Sequence, residues 1–153
     1  MRASLFTLDL PGPGRVSTMA RPRGHDWLAD VLVCALTAAE LDELGLTEEP
    51  RIAATAGLEF VPVPMPDRTV PDPADVLPVL HRLAARLRGG AHVVTHCRAG
   101  IGRSSLLAVS LLVLNGTAPD TVWTAVEHAR GLAVPDTPAQ RAWPAGLPGQ
   151  VLR

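Results

Sequence analysis

Short runs of consecutive apolar residues alternate along the chain with longer stretches of mixed polarity. The run at 31–36 is apolar at every position, a pattern typical of a parallel strand that is buried on both faces. Residues 58–63 and 91–95 predict two further strands, and Pro62 indicates that the first of these lies at an edge of the sheet or leaves it. Apolar and polar residues alternate weakly over 5–10, which predicts an edge strand. The segment 16–19 is only long enough for a second short strand.

Helical spacing and capping signals fill the intervals between these strands. Thr37 with Glu40 matches a capping box, and Thr47 and Asp72 are good N-cap residues. The predicted helices are a brief one at 25–30, then 38–44, 48–56, 73–88, 104–115 and 119–130, and a short last one that starts at Pro138. Strands alternating with helices predict one three-layer α/β domain over residues 1–153, with a mostly parallel central sheet flanked by helices.

The chemistry is concentrated where the 91–95 run meets its following helix. Cys97 comes just after the strand, and Arg103 and Ser104 lie where the helix opens. A loop between a strand and a helix N-terminus presents converging N–H groups, which hold an anion and favour a thiolate beside it. The planar guanidinium of Arg103 can donate two parallel hydrogen bonds to two phosphate oxygens. This cysteine loop (residues 97–103) predicts phosphoryl transfer through a cysteine, with its phosphate held by Arg98, Ala99, Gly100, Ile101, Gly102 and Arg103.

The stretch from His96 to Ser104 resembles the HC-x5-R-S/T signature of the protein tyrosine and dual-specificity phosphatase superfamily, and most closely its small atypical and cyclin-dependent-kinase-associated members. The resemblance implies the cysteine-phosphatase fold and a cysteinyl-phosphate intermediate formed on Cys97. It also implies that His96 hydrogen-bonds nearby backbone and supports the thiolate, and that Ser104 donates to the sulfur. Ser104 has a simpler alternative as a helix N-cap.

A phosphate monoester also needs an acid for its leaving oxygen. The proline-rich loop (residues 64–72) resembles the family's acid loop, with Asp67 on the acid position. Asp72 is the alternative, but it has a ready structural role as an N-cap. We therefore expect Asp67 to be the acid.

Two further residues have a functional and a structural interpretation. Gln140 lies in a segment similar to the family's P-x-T-x-x-Q sequence and is expected to help position water, or else to be a polar residue of a short helix. Cys34 ends a predicted buried strand. It is either core packing or a redox partner that protects Cys97 from overoxidation by forming a disulfide.

Composition limits the partners. The 153 residues carry a net charge of −1, so nothing favours nucleic acid or a membrane surface as a bulk partner. The 14 basic residues are all arginine, which suggests a GC-rich bacterial source. The N-terminus does not resemble a signal peptide and only two cysteines are present, so a cytoplasmic monomer is expected. The histidines show no ligand spacing, and we expect neither a metal nor a cofactor.

The expected activity is hydrolysis of phosphate monoesters, with phosphotyrosine as substrate and phosphoserine or phosphothreonine also accepted. The chain has no tyrosine and two phenylalanines, which favours a shallow site. The substrate class is a phosphorylated protein or a small phosphate ester. The alternatives are a catalytically silent phospho-binding module and a phosphatase acting on a non-protein phosphate such as a phosphoinositide.

Overall fold

The computed structural model describes residues 5–20 and 29–147, and within them a five-stranded sheet forms the centre. Its strand order is β1-β2-β5-β3-β4, and every neighbouring pair is parallel except β1 with β2. The central strand β5 thus has a parallel neighbour on each side. The strands are Phe6–Thr7 (β1), Arg15–Met19 (β2), Val31–Cys34 (β3), Glu59–Pro62 (β4) and His92–His96 (β5).

Within the same described residues, six α-helices lie between and after these strands. They are Ala38–Glu43 (α1), Glu49–Thr55 (α2), Pro73–Arg88 (α3), Arg103–Leu114 (α4), Pro119–Arg130 (α5) and Pro138–Ala142 (α6). A 3₁₀ turn at Trp143–Gly146 follows α6 directly. The Thr37–Glu40 capping box and the Asp72 cap are both confirmed.

Helices cover both faces of the sheet, which confirms the three-layer α/β prediction. On one face, Leu83 of α3 and Leu107 of α4 pack in one core with Val33 of β3. On the other face, Ala53 of α2 packs with Leu32 of β3. Successive side chains of a strand point to opposite faces, so the uniformly apolar β3 supplies both cores.

Two predicted helix starts were wrong. Thr47 does not cap α2, because the Glu49 N–H donates to the Leu46 carbonyl at 3.0 Å and a turn precedes the helix. The N-cap is Glu48, which makes no side-chain capping bond. Helix α4 begins one residue earlier than expected and has Gly102 as its N-cap. Ser104 therefore lies inside the helix and is not its cap.

The predicted edge strand at 5–10 is shorter than expected. Only Phe6–Thr7 forms β1, although the Leu8 N–H still reaches the Val16 carbonyl at 3.0 Å. Pro11 and Pro13 then follow, and proline has no N–H with which to extend the ladder. The brief helix expected at 25–30 falls mostly outside the described residues, and residues 29–30 are not helical. Within the described ranges, no helix is both long and apolar enough to cross a membrane.

Candidate active site

The cysteine loop leaves the carboxyl edge of the sheet and turns under the end of β2. Gly100 adopts a φ of 73° in this turn, a conformation that favours glycine. A Cβ on Gly100 would lie 2.8 Å from the Met19 carbonyl carbon and 2.9 Å from the Ala20 nitrogen. The loop can therefore pack against β2 only with glycine at this position.

Cys97 is almost fully buried, with 3% of its surface exposed. Its thiol donates to the Ser104 hydroxyl at 3.4 Å, and Thr95 donates from its own hydroxyl to the Ser104 carbonyl at 2.8 Å. The first turn of α4 is thus fastened to the last residues of β5. The hydroxyl of Ser104 thus lies at the sulfur, and its expected role as a donor to that sulfur stays a prediction.

Arg103 is a buried cation, with 1% of its side chain exposed. Its NH1 and NH2 groups donate to the two carboxylate oxygens of Glu40 at 2.6 and 2.9 Å, and NH1 also donates to the Met65 carbonyl at 2.9 Å. The Nε–H has no hydrogen-bond partner within the part of the chain that the structure describes. One edge of the guanidinium is therefore held by protein, and the Nε edge is left for an oxyanion.

This ion pair sets the charge state of the site. Hydrogen bonding from Arg103 lowers the pKa of the Glu40 carboxyl to about 2. Burial acts to lower the pKa of Arg103, but the hydrogen bond to Glu40 and the nearby Cys97, Glu40 and Asp67 raise it on balance. Both groups are charged across the physiological pH range. Glu40 was not expected in the site, since its capping role already accounted for it in the sequence.

The proline-rich loop brings Asp67 to the same cation. The Asp67 side chain is 55% exposed, and its Oδ1 lies 3.4 Å from NH2 of Arg103. The loop is held by Thr69, whose hydroxyl donates to the Pro66 carbonyl at 2.6 Å. Asp72 instead accepts the Ala74 N–H at 2.9 Å as the cap of α3. The structure therefore separates the two aspartates and brings only Asp67 beside Arg103.

Arg130, at the end of α5, was missed by sequence reasoning and holds the cysteine loop from outside. Its Nε donates to the Gly100 carbonyl at 3.0 Å and its NH2 to the Ala99 carbonyl at 2.9 Å. The guanidinium also lies 4.3 Å from the centre of the Phe6 ring. In a trans peptide the C=O and the next N–H point in opposite directions. Arg130 thus fixes the N–H groups of Gly100 and Ile101 pointing away from itself.

A buried polar cluster lies behind the loop on the α2 side of the sheet. His96 Nε2 is 2.6 Å from Glu49 Oε1, and His96 Nδ1 is 3.4 Å from the Cys97 carbonyl. Both ring nitrogens of His96 therefore face polar groups of the protein, which fixes the orientation of the imidazole. Glu49 was not predicted, because nothing in the sequence links it to a histidine far along the chain.

Cys34 belongs to this same cluster. One donor atom from each of Cys34, Glu49 and His96 lies within 4.8 Å of the others. These three residues therefore have the types and the spacing of metal ligands. The observed contacts are those of a hydrogen-bonded network. Burial and the charge of Glu49 raise the pKa of the Cys34 thiol to about 12.

The two cysteines emerge at the same edge of the sheet but on opposite faces. Cys34 pairs in register with His96, and paired residues of parallel strands point to the same face. Cys97 comes one residue later and packs in the core beneath α3 and α4. A disulfide between the two thiols therefore requires local rearrangement, and the redox role of Cys34 stays a prediction.

Gln140 is buried and both of its polar groups are engaged. Its Oε1 accepts the Asp136 N–H at 3.2 Å, and its Nε2 donates to the Thr69 carbonyl at 3.2 Å. Gln140 thereby ties the segment before α6 to the proline-rich loop. Its expected role in positioning water stays a prediction.

Arg98 lies on the exposed side of the cysteine loop and is paired with acidic side chains of α1. It donates to Glu43 at 3.1 Å and lies 3.8 Å from Glu40. The remaining loop residues, Ala99, Ile101 and Gly102, contribute backbone groups to the turn. Cysteine, hydroxyl, buried arginine and exposed aspartate therefore meet at one end of the central strand.

Solved structures place this fold in a known class. The chain is similar to kinase associated phosphatase with its catalytic-site cysteine changed to serine, at 16% identity and a TM-score of 0.82, covering 99% of this chain and 97% of that one. It is similar to PTPMT1 in complex with PI(5)P at 18% and 0.72, with 89% and 94% covered. Tk-PTP in its active form matches at 28% and 0.68, with 83% and 86% covered. The class is that of tyrosine and dual-specificity phosphatases.

A family model then identifies the branch. The model described as "Polymorphic toxin system, DSP-PTPase phosphatase" matches residues 16–117, which run from the second residue of β2 past the end of α4 and include the whole cysteine loop. The chain belongs to this family, and the superfamily suggested by the HC-x5-R-S sequence is confirmed. A search of curated proteins finds no match.

Replacing Glu40 with Gln should leave the Arg103 cation buried and without its carboxylate. The glutamine amide keeps one acceptor oxygen but lacks the charge, and a hydrogen bond to a charged group is worth about 1.5–3 kcal/mol. We expect a loss of about that size in the free energy of unfolding at pH 7. Glu40 has a folded pKa of about 2 against an ordinary value of 4.5. Its stabilising effect is therefore complete above 4.5 and is lost as the pH falls through about 2.

Urea unfolding of wild type and Glu40→Gln across this pH range would measure the effect, with Glu43→Gln on the same helix as control. A stability difference that does not shrink between pH 4.5 and 2 would contradict the assigned ion pair.

Mild peroxide should distinguish the two interpretations of Cys34. If it is a redox partner, Cys97 is first oxidised to a sulfenic acid. The Cys34 thiolate then attacks that sulfur, the S–S bond forms and the S–O bond breaks, and the hydroxide that leaves takes a proton from solvent to become water. Because the pKa of Cys34 is about 12, the thiolate is scarce, and disulfide formation should accelerate about tenfold per pH unit.

Peptide mass spectrometry after peroxide treatment at several pH values would follow this step, with Cys34→Ser as control. Sulfinic Cys97 accompanied by a free Cys34 thiol would show that Cys34 only packs the core.

Proposed function

We propose that the chain is a cysteine-dependent phosphatase that hydrolyses phosphate monoesters through a cysteinyl-phosphate intermediate. One observation carries the proposal: Arg103, buried and fixed by Glu40, lies 3.4 Å from the only partly buried Asp67 at the loop that holds Cys97. A nucleophile, a fixed cation and a solvent-accessible acid are the groups that a two-step phosphoryl transfer requires.

In the first step the Cys97 thiolate attacks phosphorus. A sulfur–phosphorus bond forms and the ester oxygen–phosphorus bond breaks, while Asp67 gives its proton to the leaving oxygen. The loop N–H groups and the Nε edge of Arg103 donate hydrogen bonds to the phosphoryl oxygens and stabilise their negative charge. Because these donors are already fixed by Arg130 and Glu40, little reorganisation is needed during the reaction.

In the second step water attacks the phosphorus of the cysteinyl-phosphate. The sulfur–phosphorus bond breaks, inorganic phosphate leaves, and the Asp67 carboxylate takes a proton from the water. The Ser104 hydroxyl at 3.4 Å from the sulfur can stabilise the departing thiolate. The cycle returns Cys97 and Asp67 to their starting states without a cofactor.

The charged side chains on the exposed side of the cysteine loop favour a substrate with a single phosphate. Arg98 is already paired with Glu43 and lies near Glu40, and Asp67 adds another negative charge. A polyphosphorylated headgroup would need unpaired cations here. We therefore favour phosphotyrosine in a protein, with phosphoserine, phosphothreonine or a small phosphate ester also accepted, although the structurally similar PTPMT1 was solved with PI(5)P.

The family description also refers to polymorphic toxin systems. We extend the proposal to such a system: the chain is a bacterial effector domain. It acts as a monomer in the cytoplasm, where phosphorylated proteins and phosphate esters occur. The catalytic chemistry above is independent of this setting.

Hydrolysis of a phosphopeptide panel and of an aryl phosphate would test the proposal. Cys97→Ser should abolish activity, since the hydroxyl of serine is a far weaker nucleophile than a thiolate. Asp67→Asn should lower kcat by about 10²–10⁴-fold on a peptide substrate, which is the usual contribution of a general acid.

Asp72→Asn is the matched control, because it retains an N-cap side chain and should keep wild-type activity. Equal rates for wild type and Cys97→Ser would reject the mechanism. Loss of activity in Asp72→Asn with none in Asp67→Asn would reject the acid assignment. Turnover of inositol phosphates but of no phosphopeptide would move the substrate to the phosphoinositide class.

A further inference from the structure

Three buried side chains with metal-binding atoms converge between the sheet and α2. Cys34 and His96 end the neighbouring strands β3 and β5 and pair in register, so their side chains leave the same face of the sheet about 4.8 Å apart. Glu49 is the first residue of α2, and all three residues are at most 3% exposed. The histidine spacing that argued against a metal cannot show such a set, because its members come from three separate elements.

The carboxylate of Glu49 is only half satisfied. Its Oε1 lies 2.6 Å from His96 Nε2, whereas Oε2 has no hydrogen-bond partner among the residues that the structure describes. The Glu49 side chain is 1% exposed, so bulk water does not solvate the second oxygen. Buried carboxylates are normally hydrogen-bonded at both oxygens, paired with a cation or bound to a metal. The free oxygen therefore points to a ligand that the described side chains do not supply.

The donor set has the chemistry of a zinc site. Thiolate sulfur, imidazole nitrogen and carboxylate oxygen all bind Zn²⁺, with bond lengths of about 2.0–2.3 Å that place neighbouring ligand atoms about 3–4 Å apart. The three ligand atoms already lie within 4.8 Å of one another, so small side-chain movements would close them on an ion. The second oxygen of Glu49 would complete a set of four ligand atoms.

The other ring nitrogen of His96 also has the partner that a metal ligand needs. An imidazole that binds a metal through Nε2 keeps its proton on Nδ1, and metal-binding histidines ordinarily donate that proton to a carbonyl or a carboxylate. His96 Nδ1 lies 3.4 Å from the Cys97 carbonyl. That backbone oxygen can fix the ring while Nε2 faces the ion.

We propose that Cys34, Glu49 and His96 bind a divalent transition-metal ion, and that Zn²⁺ is the ion they suit best. Binding displaces two protons to solvent, the thiol proton of Cys34 and the proton in the hydrogen bond between His96 and Glu49. Bonds from the ion to Sγ, to Nε2 and to the carboxylate replace them, and no electron is transferred. The thiolate and the carboxylate carry two negative charges, so a divalent ion leaves the buried site neutral.

A cation would also remove a conflict within the cluster. Burial and the negative charge of Glu49 raise the pKa of the Cys34 thiol to about 12, because a thiolate beside a buried carboxylate is repelled by it. A metal ion between the two groups turns this repulsion into attraction and deprotonates the thiol that it binds. The site uses neither Asp67 nor Arg103, so the inference does not rest on the proposed function.

Titration of the metal-free full chain with Co²⁺ tests the site directly. A cobalt–thiolate bond gives a charge-transfer absorption band, and the chain has two cysteines from which it can arise. We expect one Co²⁺ per chain with this band in wild type and in Cys97→Ser, and no band in Cys34→Ala. Zn²⁺ added afterwards should displace the Co²⁺ and abolish the band.

Glu49→Gln tests the carboxylate, with Glu48→Gln as its matched control because Glu48 is the exposed residue before it. Loss of an outer hydrogen-bond partner costs a metal site roughly 10–100-fold in affinity, so loss of a ligand in Glu49→Gln should weaken Co²⁺ binding at least as much. Glu48→Gln should bind as wild type. Unfolding temperatures without metal report whether each variant is folded. Added Zn²⁺ should raise the unfolding temperature of wild type and Cys97→Ser, but not that of Cys34→Ala.

Three results would overturn the inference: no charge-transfer band in wild type, a band that persists in Cys34→Ala, or a band that is lost in Cys97→Ser, which would place the ion on the cysteine loop. If Cys34→Ala does not fold, equal Co²⁺ affinity in folded Glu49→Gln and wild type would overturn it as well. Failure of the proposed function looks different, because it would appear as turnover that does not depend on Cys97 and would leave the cobalt band unchanged.

Discussion

A buried guanidinium paired with one carboxylate holds the site together. Arg103, at the start of α4, donates to both oxygens of Glu40 on α1 and to the Met65 carbonyl in the proline-rich loop. Three segments that are distant in sequence therefore converge on one cation. An unpaired charge at this depth would be costly, so the position of α1 and of the proline-rich loop is linked to the presence of Arg103. The residue that we propose binds phosphate is also the one that organises its surroundings.

The cysteine loop is constrained from both faces of the sheet. On the α4 side, Thr95 and Ser104 fasten the loop's two ends, and Arg130 holds two of its carbonyls. On the α2 side, Glu49 holds His96, the residue before Cys97. Such a loop is pre-organised, and fixed donors stabilise developing charge without reorganising. The opposite placement of Cys34 and Cys97 follows from the same strand geometry.

Local patterns predicted the architecture and the candidate site residues that the fold brings together, because those features have local causes. Buried strands are apolar at successive positions, the spacing of Cys97 and Arg103 is set by one turn, and the capping role of Asp72 left Asp67 as the acid. Glu49 and Arg130 could not be predicted in the same way. Each is an ordinary charged residue of a helix or loop, and its role arises only when the fold brings it to the cysteine loop. The start of α4 at Arg103 was missed because a glycine N-cap gives no side-chain signal.

The central claim is that phosphate passes through a covalent bond to Cys97. The most direct test is rapid acid quench of the protein during turnover of an aryl phosphate, followed by peptide mass spectrometry. We predict a peptide containing Cys97 that is heavier by one phosphoryl group, that appears within one turnover and that decays when substrate is exhausted. Turnover without any phosphorylated peptide, or with the phosphoryl group on another residue, would contradict the account.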